Sequence, residues 1–185
     1  PCQIDLKDFK VLKTISQDDS DFIILVDHIK EGQYVAKINL TAPRLNTTQL
    51  NDAMIRIESV SRIRHQTLNR FYGISLTDFD NQNNPTIIMD YIENGSLQDL
   101  INNEKKFKSL DNTKKQIILI GIVRSMVILN SYNLIHGDLK PENILIDKNY
   151  MPLITDFAFS QIYHPLQFQN QNKIKKTLPY TAPEI

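Results

Sequence analysis

Residues 136–143 constrain the fold of this chain more than any other segment. They read His-Gly-Asp-Leu-Lys-Pro-Glu-Asn, and a short apolar stretch, residues 144–146, follows directly. Turn-like residues at 148–149 precede residues 150–155, which have the composition of a second short strand leading into Asp156. The sequence therefore predicts a hairpin-like unit with a carboxylate at each end, both facing one cleft.

The polar groups at the ends of this unit suit the transfer of a phosphoryl group. Asp138 can accept the proton of a hydroxyl, and Lys140 can neutralise phosphate charge as it moves. Asn143 and Asp156 supply the amide and carboxylate oxygens that Mg²⁺ prefers. A lone Asp or Lys is most often a solvated loop residue. Eight residues in this order, followed by Asp156 13 residues after Asn143, favour the catalytic interpretation.

This spacing resembles the catalytic loop and metal-binding aspartate of the eukaryotic protein kinases. The lysine at position 140, two residues after Asp138, resembles the pattern of the serine/threonine kinases rather than that of the tyrosine kinases. The sequence Asn-Gly-Ser-Leu at residues 94–97, together with His-Gly-Asp, resembles the tyrosine-kinase-like branch. Residues 177–184 resemble the end of the activation segment, with its Ala-Pro-Glu marker. The resemblance covers the chain from about Phe9 to its last residue.

The pattern of the whole chain predicts an α+β fold with two parts. Residues 48–63 have helical spacing and lie among five strand-like segments, which predicts a five-stranded antiparallel sheet with one helix in residues 1–91. Residues 92–185 begin with a short helix capped by Ser96. A long apolar helix follows, which is capped by Asp111-Asn112-Thr113 and ends near Tyr132. The family resemblance makes these parts the N-terminal lobe and the first, mainly helical part of the C-terminal lobe. The predicted strands are residues 9–16, 22–29, 33–40, 71–76 and 86–89.

The helices that follow Ala-Pro-Glu in the family have no counterpart here, so we interpret the chain as a fragment of a longer protein. The underside of the helix at residues 113–132 is then expected to lack its cover. A fragment of this kind should be marginally stable and should bind a hydrophobic dye.

Composition narrows the classes of partner. A net charge of zero gives no electrostatic reason to expect nucleic-acid binding. The single cysteine, Cys2, excludes an intrachain disulfide and suits a reducing setting, so we expect a cytoplasmic protein. No signal-peptide pattern is visible, and Arg124 interrupts an apolar stretch at 117–129 that is too short to span a bilayer. We expect a protein substrate or partner rather than a nucleic acid or a membrane.

The resemblance also assigns residues to ATP and Mg²⁺. Lys37, within Tyr-Val-Ala-Lys-Ile, resembles the lysine that holds the α- and β-phosphates, and alternation places Val35 on the same strand face. Met89 resembles the residue that gates the back of the pocket, and the next three residues resemble the hinge that binds adenine. The implied cofactor-binding set is Lys37, Ile15, Ile23, Val35, Met89, Asp90, Ile92, Asn143 and Leu145. Asp138 and Lys140 are then catalytic, and Asn143 and Asp156 are metal ligands.

The phosphate loop departs from the family pattern. It spans residues 15–23, and the family's glycines fall on Ser16, Asp18 and Asp21. Glycine lets backbone N–H groups approach phosphate without a Cβ. Carboxylates here, with Asp19 as a third, repel a triphosphate by about 1 kcal/mol per pair in a water-like dielectric. ATP binding should be weakened unless the loop swings outward or a metal bridges it; the alternative is a solvated acidic hairpin tip.

Three further positions depart from the family pattern. The resemblance places the glutamate partner of Lys37 at Arg56, which cannot pair with a lysine, and Asp52 could substitute if the helix shifts. Gly137 stands where the family has an Arg that pairs with a phosphorylated residue of the activation segment. Without that Arg, this site should not bind a phosphorylated residue. Ala158 replaces the Gly of Asp-Phe-Gly, which is tolerable if the local φ is negative.

Two functions follow from these observations. The first is a serine/threonine kinase that transfers the γ-phosphoryl group of ATP to a protein hydroxyl, with weakened ATP binding. The second is a pseudokinase that acts as a scaffold or an allosteric binding module. The retained residues at 138, 140, 143 and 156 favour the enzyme, whereas the acidic loop and Arg56 favour the binding module.

Overall fold

The fold begins with a five-stranded antiparallel sheet. The computed structural model describes residues 3–41, 47–157 and Tyr180, together with the backbone, but not every side chain, of helix α1. The strands lie in the order β1-β2-β3-β5-β4. They are β1 Phe9–Gln17, β2 Asp21–His28, β3 Gly32–Asn39, β4 Phe71–Ser75 and β5 Thr86–Asp90. With helix α1, Thr47–Ser61, they confirm the predicted α+β class, and their ends differ from the predicted ones by a residue or two.

One face of this sheet forms a hydrophobic core. Val26 and Ala36 are fully buried in it. The ring of Phe9 packs edge-on against Tyr34 and Tyr72, with centroids 5.9 and 5.7 Å away. Because side chains alternate along a strand, Ile23, Val35, Lys37 and Met89, which are predicted to bind nucleotide, lie on the opposite face.

Capped helices follow the sheet. Ser96 and Asp99 form a capping box, in which the Asp99 N–H donates to the Ser96 hydroxyl at 3.1 Å and the Ser96 N–H donates to the Asp99 carboxylate at 2.8 Å. Asp111 accepts the Lys114 N–H at 2.8 Å in a second N-cap. Both helix starts are those that the sequence predicts. The helices are α2 Leu97–Asn102, α3 Glu104–Lys108 and α4 Asn112–Ser131.

A short hairpin follows α4 and has polar residues at both of its ends. Its strands, β6 Ile144–Ile146 and β7 Pro152–Ile154, pair antiparallel. In the turn, the Asp147 carboxylate accepts the N–H groups of Asn149 and Met151 at 2.7 and 2.8 Å. This confirms the hairpin, although its second strand is shorter than the predicted range 150–155.

The chain divides into two compact units, and the division is not a single cut after residue 91. The first unit contains the residues up to Ile63 and Arg70–Tyr91, and the second contains Arg64–Asn69 and the residues from Ile92 onward. Hydrogen bonds explain why the segment Arg64–Asn69 joins the second unit. Its Thr67 C=O accepts the Ile154 N–H at 2.9 Å and the Ser125 hydroxyl at 2.8 Å. The predicted boundary placed this segment in the first part.

Helix α4 exposes an apolar stripe. Leu119, Ile120, Val123 and Val127 are each 60–64% exposed. A contiguous apolar surface of this kind is unusual on a soluble domain. None of the helices in the described ranges is long and apolar enough to cross a membrane.

Gly121 lies where α4 packs against the hairpin. A Cβ at this position would overlap Cγ of the buried Pro152 and lie 2.6 Å from its Cδ. Alanine favours a helix over glycine by about 1 kcal/mol, but overpacking costs about 1–3 kcal/mol. We therefore expect Gly121→Ala to lower the free energy of unfolding by up to about 2 kcal/mol, measured by urea denaturation. Asn130→Ala, on the exposed side of α4, is the control and should not be destabilising; a stabilised Gly121→Ala would contradict the prediction.

Candidate active site

The loop that follows α4 brings three polar side chains together. Lys140 Nζ lies 2.8 Å from the Asp138 Oδ2 atom. The Asn143 amide donates to the Asp138 main-chain oxygen at 2.7 Å and to the Asp138 carboxylate at 3.0 Å. Gly137 has a φ of 79°, in the left-handed region that favours glycine, which gives a physical reason for glycine where the family has arginine. The carboxylate predicted to be the base is thus held by a cation and an amide.

The buried side chain of His136 holds this loop in place through two hydrogen bonds. It is only 2% exposed, and its Nε2 lies 2.9 Å from the Thr155 main-chain oxygen. Its Nδ1 accepts the N–H of Asp138 at 3.2 Å. A carbonyl can only accept and an N–H can only donate, so these two bonds fit a neutral imidazole protonated at Nε2. Burial lowers the pKa of His136, which also favours the neutral ring.

The neutral state of His136 predicts a pH dependence of stability. Its pKa is lower in the folded than in the unfolded protein, so the unfolded protein binds the extra proton as the pH falls. The neutral ring makes its full contribution to the free energy of unfolding above about pH 6.5. This contribution is lost progressively below that pH, by up to about 1.4 kcal/mol per pH unit. The free energy of unfolding is measured by urea denaturation at pH 7.5 and 5.5. Between these pH values it should fall less in His136→Gln than in the wild type, because glutamine cannot titrate. Equal losses in the two proteins would contradict this role.

Thr155 connects the hairpin to the loop that carries Asp138. Its N–H donates to the Asn143 main-chain oxygen at 3.0 Å, and its own main-chain oxygen is the partner of His136. The next residue, Asp156, has a φ of 68°, a left-handed value that is uncommon for a residue with a side chain. Such conformations persist where the surroundings hold them, often at functional sites. Thr155 therefore ties the segments that carry Asp138 and Asp156 to each other.

Asn143 and Asp156 fit a magnesium ion. Asn143 is 6% exposed, and its two bonds to Asp138 use the amide nitrogen, so neither uses the amide oxygen. Magnesium takes oxygen ligands, and proteins commonly hold it with one or two carboxylates and the phosphates of a substrate. Within residues 3–41 and 47–157, no group of three or more His, Cys, Asp or Glu could hold a metal by itself. That Asn143 and Asp156 hold a magnesium ion together with phosphate stays a prediction.

The predicted phosphate lysine lies in the first unit and is paired with a carboxylate. Lys37 Nζ is 3.3 Å from the Asp21 Oδ2 atom, and both side chains are largely shielded from solvent. Ile23 pairs with Lys37 across β2 and β3, which places Asp21 diagonally opposite the lysine on the same face. An acidic residue at a predicted glycine position therefore contacts the lysine directly, whereas Asp18 and Asp19 are exposed on the turn.

The predicted adenine residues fall in both units and differ in exposure. Met89 is 8% exposed and pairs with Val35, whereas Ile15 is 45% exposed and lies at a bulge of β1. Ile23 and Val35 are half-buried. In the second unit, Leu145 is half-buried and forms a β-bridge with Ser96, and Ile92 accepts the Gly95 N–H at 3.3 Å. Each of these roles stays a prediction.

The side chain of Asp90 has a structural partner that the sequence did not predict. The Arg70 guanidinium contacts the Asp90 carboxylate through Nε at 2.9 Å and Nη2 at 2.8 Å, and this hydrogen bonding raises the pKa of the arginine further. The Asp90 N–H also donates to the Arg70 main-chain oxygen at 3.1 Å. Twenty residues separate the pair, and only the pairing of β4 with β5 brings them together. This contact fixes the start of the predicted hinge.

Some predicted features lie outside the described residues. These are Ala158 and the activation-segment residues 177–184, apart from Tyr180. The side chains of Asp52 and Arg56 are also not described, so the proposed substitution of Asp52 for the missing glutamate stays a prediction.

The comparisons with known proteins agree with this architecture. The family model described as protein kinase domain matches residues 9–185. The chain therefore belongs to the protein kinase family, as its catalytic run predicted.

Individual relatives are kinases of plants and animals. Cysteine-rich receptor-like protein kinase 46 of Arabidopsis thaliana is 33% identical over 135 residues, covering 69% of this chain and 21% of that protein. Cysteine-rich receptor-like protein kinase 6 of Oryza sativa subsp. japonica is 33% identical over 161 residues, covering 84% and 22%. Pelle-like serine/threonine-protein kinase pik-1 of Caenorhabditis elegans is 31% identical over 159 residues, covering 80% and 31%. The chain thus spans about a fifth to a third of the length of these relatives.

Proposed function

We propose that this chain is the catalytic part of a serine/threonine protein kinase that transfers the γ-phosphoryl group of ATP to a hydroxyl of a protein. The observation that carries the proposal is the contact of the Asp138 carboxylate with both Lys140 and Asn143. A general base, a cation and a metal-binding amide within six residues are the parts that phosphoryl transfer uses. A protein substrate and a cytoplasmic setting belong to the same proposal.

Each residue of the catalytic loop has a role in this proposal. Asp138 orients the acceptor hydroxyl and accepts its proton. Lys140, held 2.8 Å from that carboxylate, faces the negative charge that develops on the phosphoryl oxygens. Asn143 and Asp156 would hold Mg²⁺, which when bound neutralises charge on the phosphate oxygens. Lys37 of the first unit would bind the α- and β-phosphates.

A second candidate function is a binding module that has lost catalysis. The ion pair between Lys37 and Asp21 favours it, because a lysine that holds a carboxylate is less available to a phosphate. Weaker charge pairing in the transition state slows a reaction about tenfold for each 1.4 kcal/mol lost. Such a module would act through its surfaces as a scaffold or an allosteric partner.

A transfer assay separates the two functions. The protein that contains this chain is incubated with γ-labelled ATP, Mg²⁺ and a library of peptides containing serine, threonine or tyrosine. Label on serine or threonine, absent when Mg²⁺ is chelated, supports the kinase. Binding of ATP without any labelled peptide and without self-labelling would favour the binding module. Label confined to tyrosine would contradict the serine/threonine assignment.

A further inference from the structure

In the turn between β1 and β2, a side-chain carboxylate accepts backbone N–H groups of the same turn. The Asp18 Oδ1 atom accepts the N–H of Ser20 at 2.7 Å, the Ser20 hydroxyl at 2.8 Å and the N–H of Asp21 at 2.8 Å. The Asp18 N–H in turn donates to the Asp21 main-chain oxygen at 3.0 Å. Neighbouring N–H groups directed at one oxygen anion form the kind of concavity that also binds phosphate. Here a side-chain carboxylate of the same turn fills it.

Lys37, which the sequence assigns to phosphate, is likewise held by a carboxylate, that of Asp21. Lys37 is 12% exposed and Asp21 is 26% exposed, so water screens their attraction only partly. An incoming phosphate would carry the same sign of charge as Asp21 and would compete with it for the ammonium group. Displacing Asp21 would leave its carboxylate beside a triphosphate, which adds repulsion.

Together these interactions place a carboxylate at the N–H groups of the turn and another at the lysine. We propose, on the basis of the proposed function above, that Asp18 and Asp21 act as internal substitutes for phosphate and determine nucleotide selectivity. The chain then binds adenosine and Mg²⁺-ATP with similar affinity, because each favourable interaction of the phosphates replaces one that a carboxylate already makes. The apolar residues predicted to contact adenine do not take part in this competition.

Replacement of Asp21 by Asn isolates the charge. An asparagine has the same shape and keeps an acceptor for the strand environment, but it no longer competes as an anion for Lys37. Asp19→Asn is the matched control. Asp19 lies two residues before Asp21, its side chain is exposed on the turn, and the substitution removes the same charge. Both variants are prepared in the protein that contains this chain. Dissociation constants of adenosine and Mg²⁺-ATP are measured by calorimetry.

In the wild type, the two dissociation constants should lie within about tenfold of each other. In Asp21→Asn, the affinity for Mg²⁺-ATP should rise by about tenfold or more, which corresponds to about 1.4 kcal/mol, while the affinity for adenosine stays unchanged. Asp19→Asn should leave the affinity for adenosine unchanged and raise that for Mg²⁺-ATP by no more than about twofold, because salt screens the repulsion of an exposed carboxylate below the value for pure water.

Two outcomes would overturn this inference while leaving an ATP site intact. One is a wild type that already prefers Mg²⁺-ATP to adenosine by about a hundredfold. The other is an Asp21→Asn variant with the wild-type ratio of the two constants. A different result, in which none of the three proteins binds adenosine or ATP, would overturn the proposed function and this inference with it. An unchanged adenosine affinity also shows that the variant is folded.

Discussion

Replacing Asp138 by Asn is expected to lower the rate of phosphoryl transfer by about 10²- to 10⁴-fold, with the melting temperature close to that of the wild type. An asparagine keeps an oxygen that can accept from Lys140 Nζ and the Asn143 amide, which lie 2.8 and 3.0 Å from the carboxylate. It cannot take a proton from the acceptor hydroxyl. Geometry is therefore retained while basicity is lost, so kcat should fall much more than KM changes.

The control for this variant is Glu142→Gln. Glu142 is an exposed carboxylate in the same loop, and its substitution removes the same charge four residues away. It should leave kcat within a few-fold of the wild type. Loss of activity in both variants would indicate a general electrostatic effect of the loop. An active Asp138→Asn variant would remove Asp138 from the mechanism.

Local patterns were enough to predict most of the fold. Alternating apolar residues fixed the strands, because the sheet has one buried face and a shift of one residue would expose it. Ser96 and Asp111 were recognised as caps because each lies before an apolar helix and has a side-chain oxygen that can accept a backbone N–H. The order of the catalytic run likewise indicated which residues lie together, since 136–143 form one short loop.

Contacts that depend on tertiary structure were not predictable in this way. Asp21 reaches Lys37 only because β2 and β3 pair in the register that makes Ile23 the neighbour of Lys37. In the sequence, Asp21 could be recognised only as a misplaced acidic residue at a glycine position. The segment Arg64–Asn69 precedes β4 in the chain but packs with residues about 60 and 90 positions later, so no local pattern assigns it to the second unit.

Replacing Asp156 by Asn is expected to abolish the stabilisation that ATP gives only when Mg²⁺ is present. A ligand at about a hundred times its dissociation constant stabilises a protein by about 2.7 kcal/mol, and a metal bridge between protein and phosphate contributes to that affinity. Asparagine removes the charge of this ligand. It is also the substitution best suited to the backbone, because asparagine tolerates the left-handed φ of 68° that alanine would occupy at a cost of about 1–2 kcal/mol.

The measurement is the melting temperature with ATP, in the presence and absence of Mg²⁺. Asp147→Asn is the control, because Asp147 lies in the turn at the other end of the same hairpin and binds backbone N–H groups there. An asparagine at 147 can keep those bonds through its amide oxygen, so the Mg²⁺-dependent shift should survive. If that shift also survives in Asp156→Asn, this carboxylate is not the metal ligand. The Asp156 conformation, held through Thr155 and the buried His136, would then serve the fold of the loop rather than the metal.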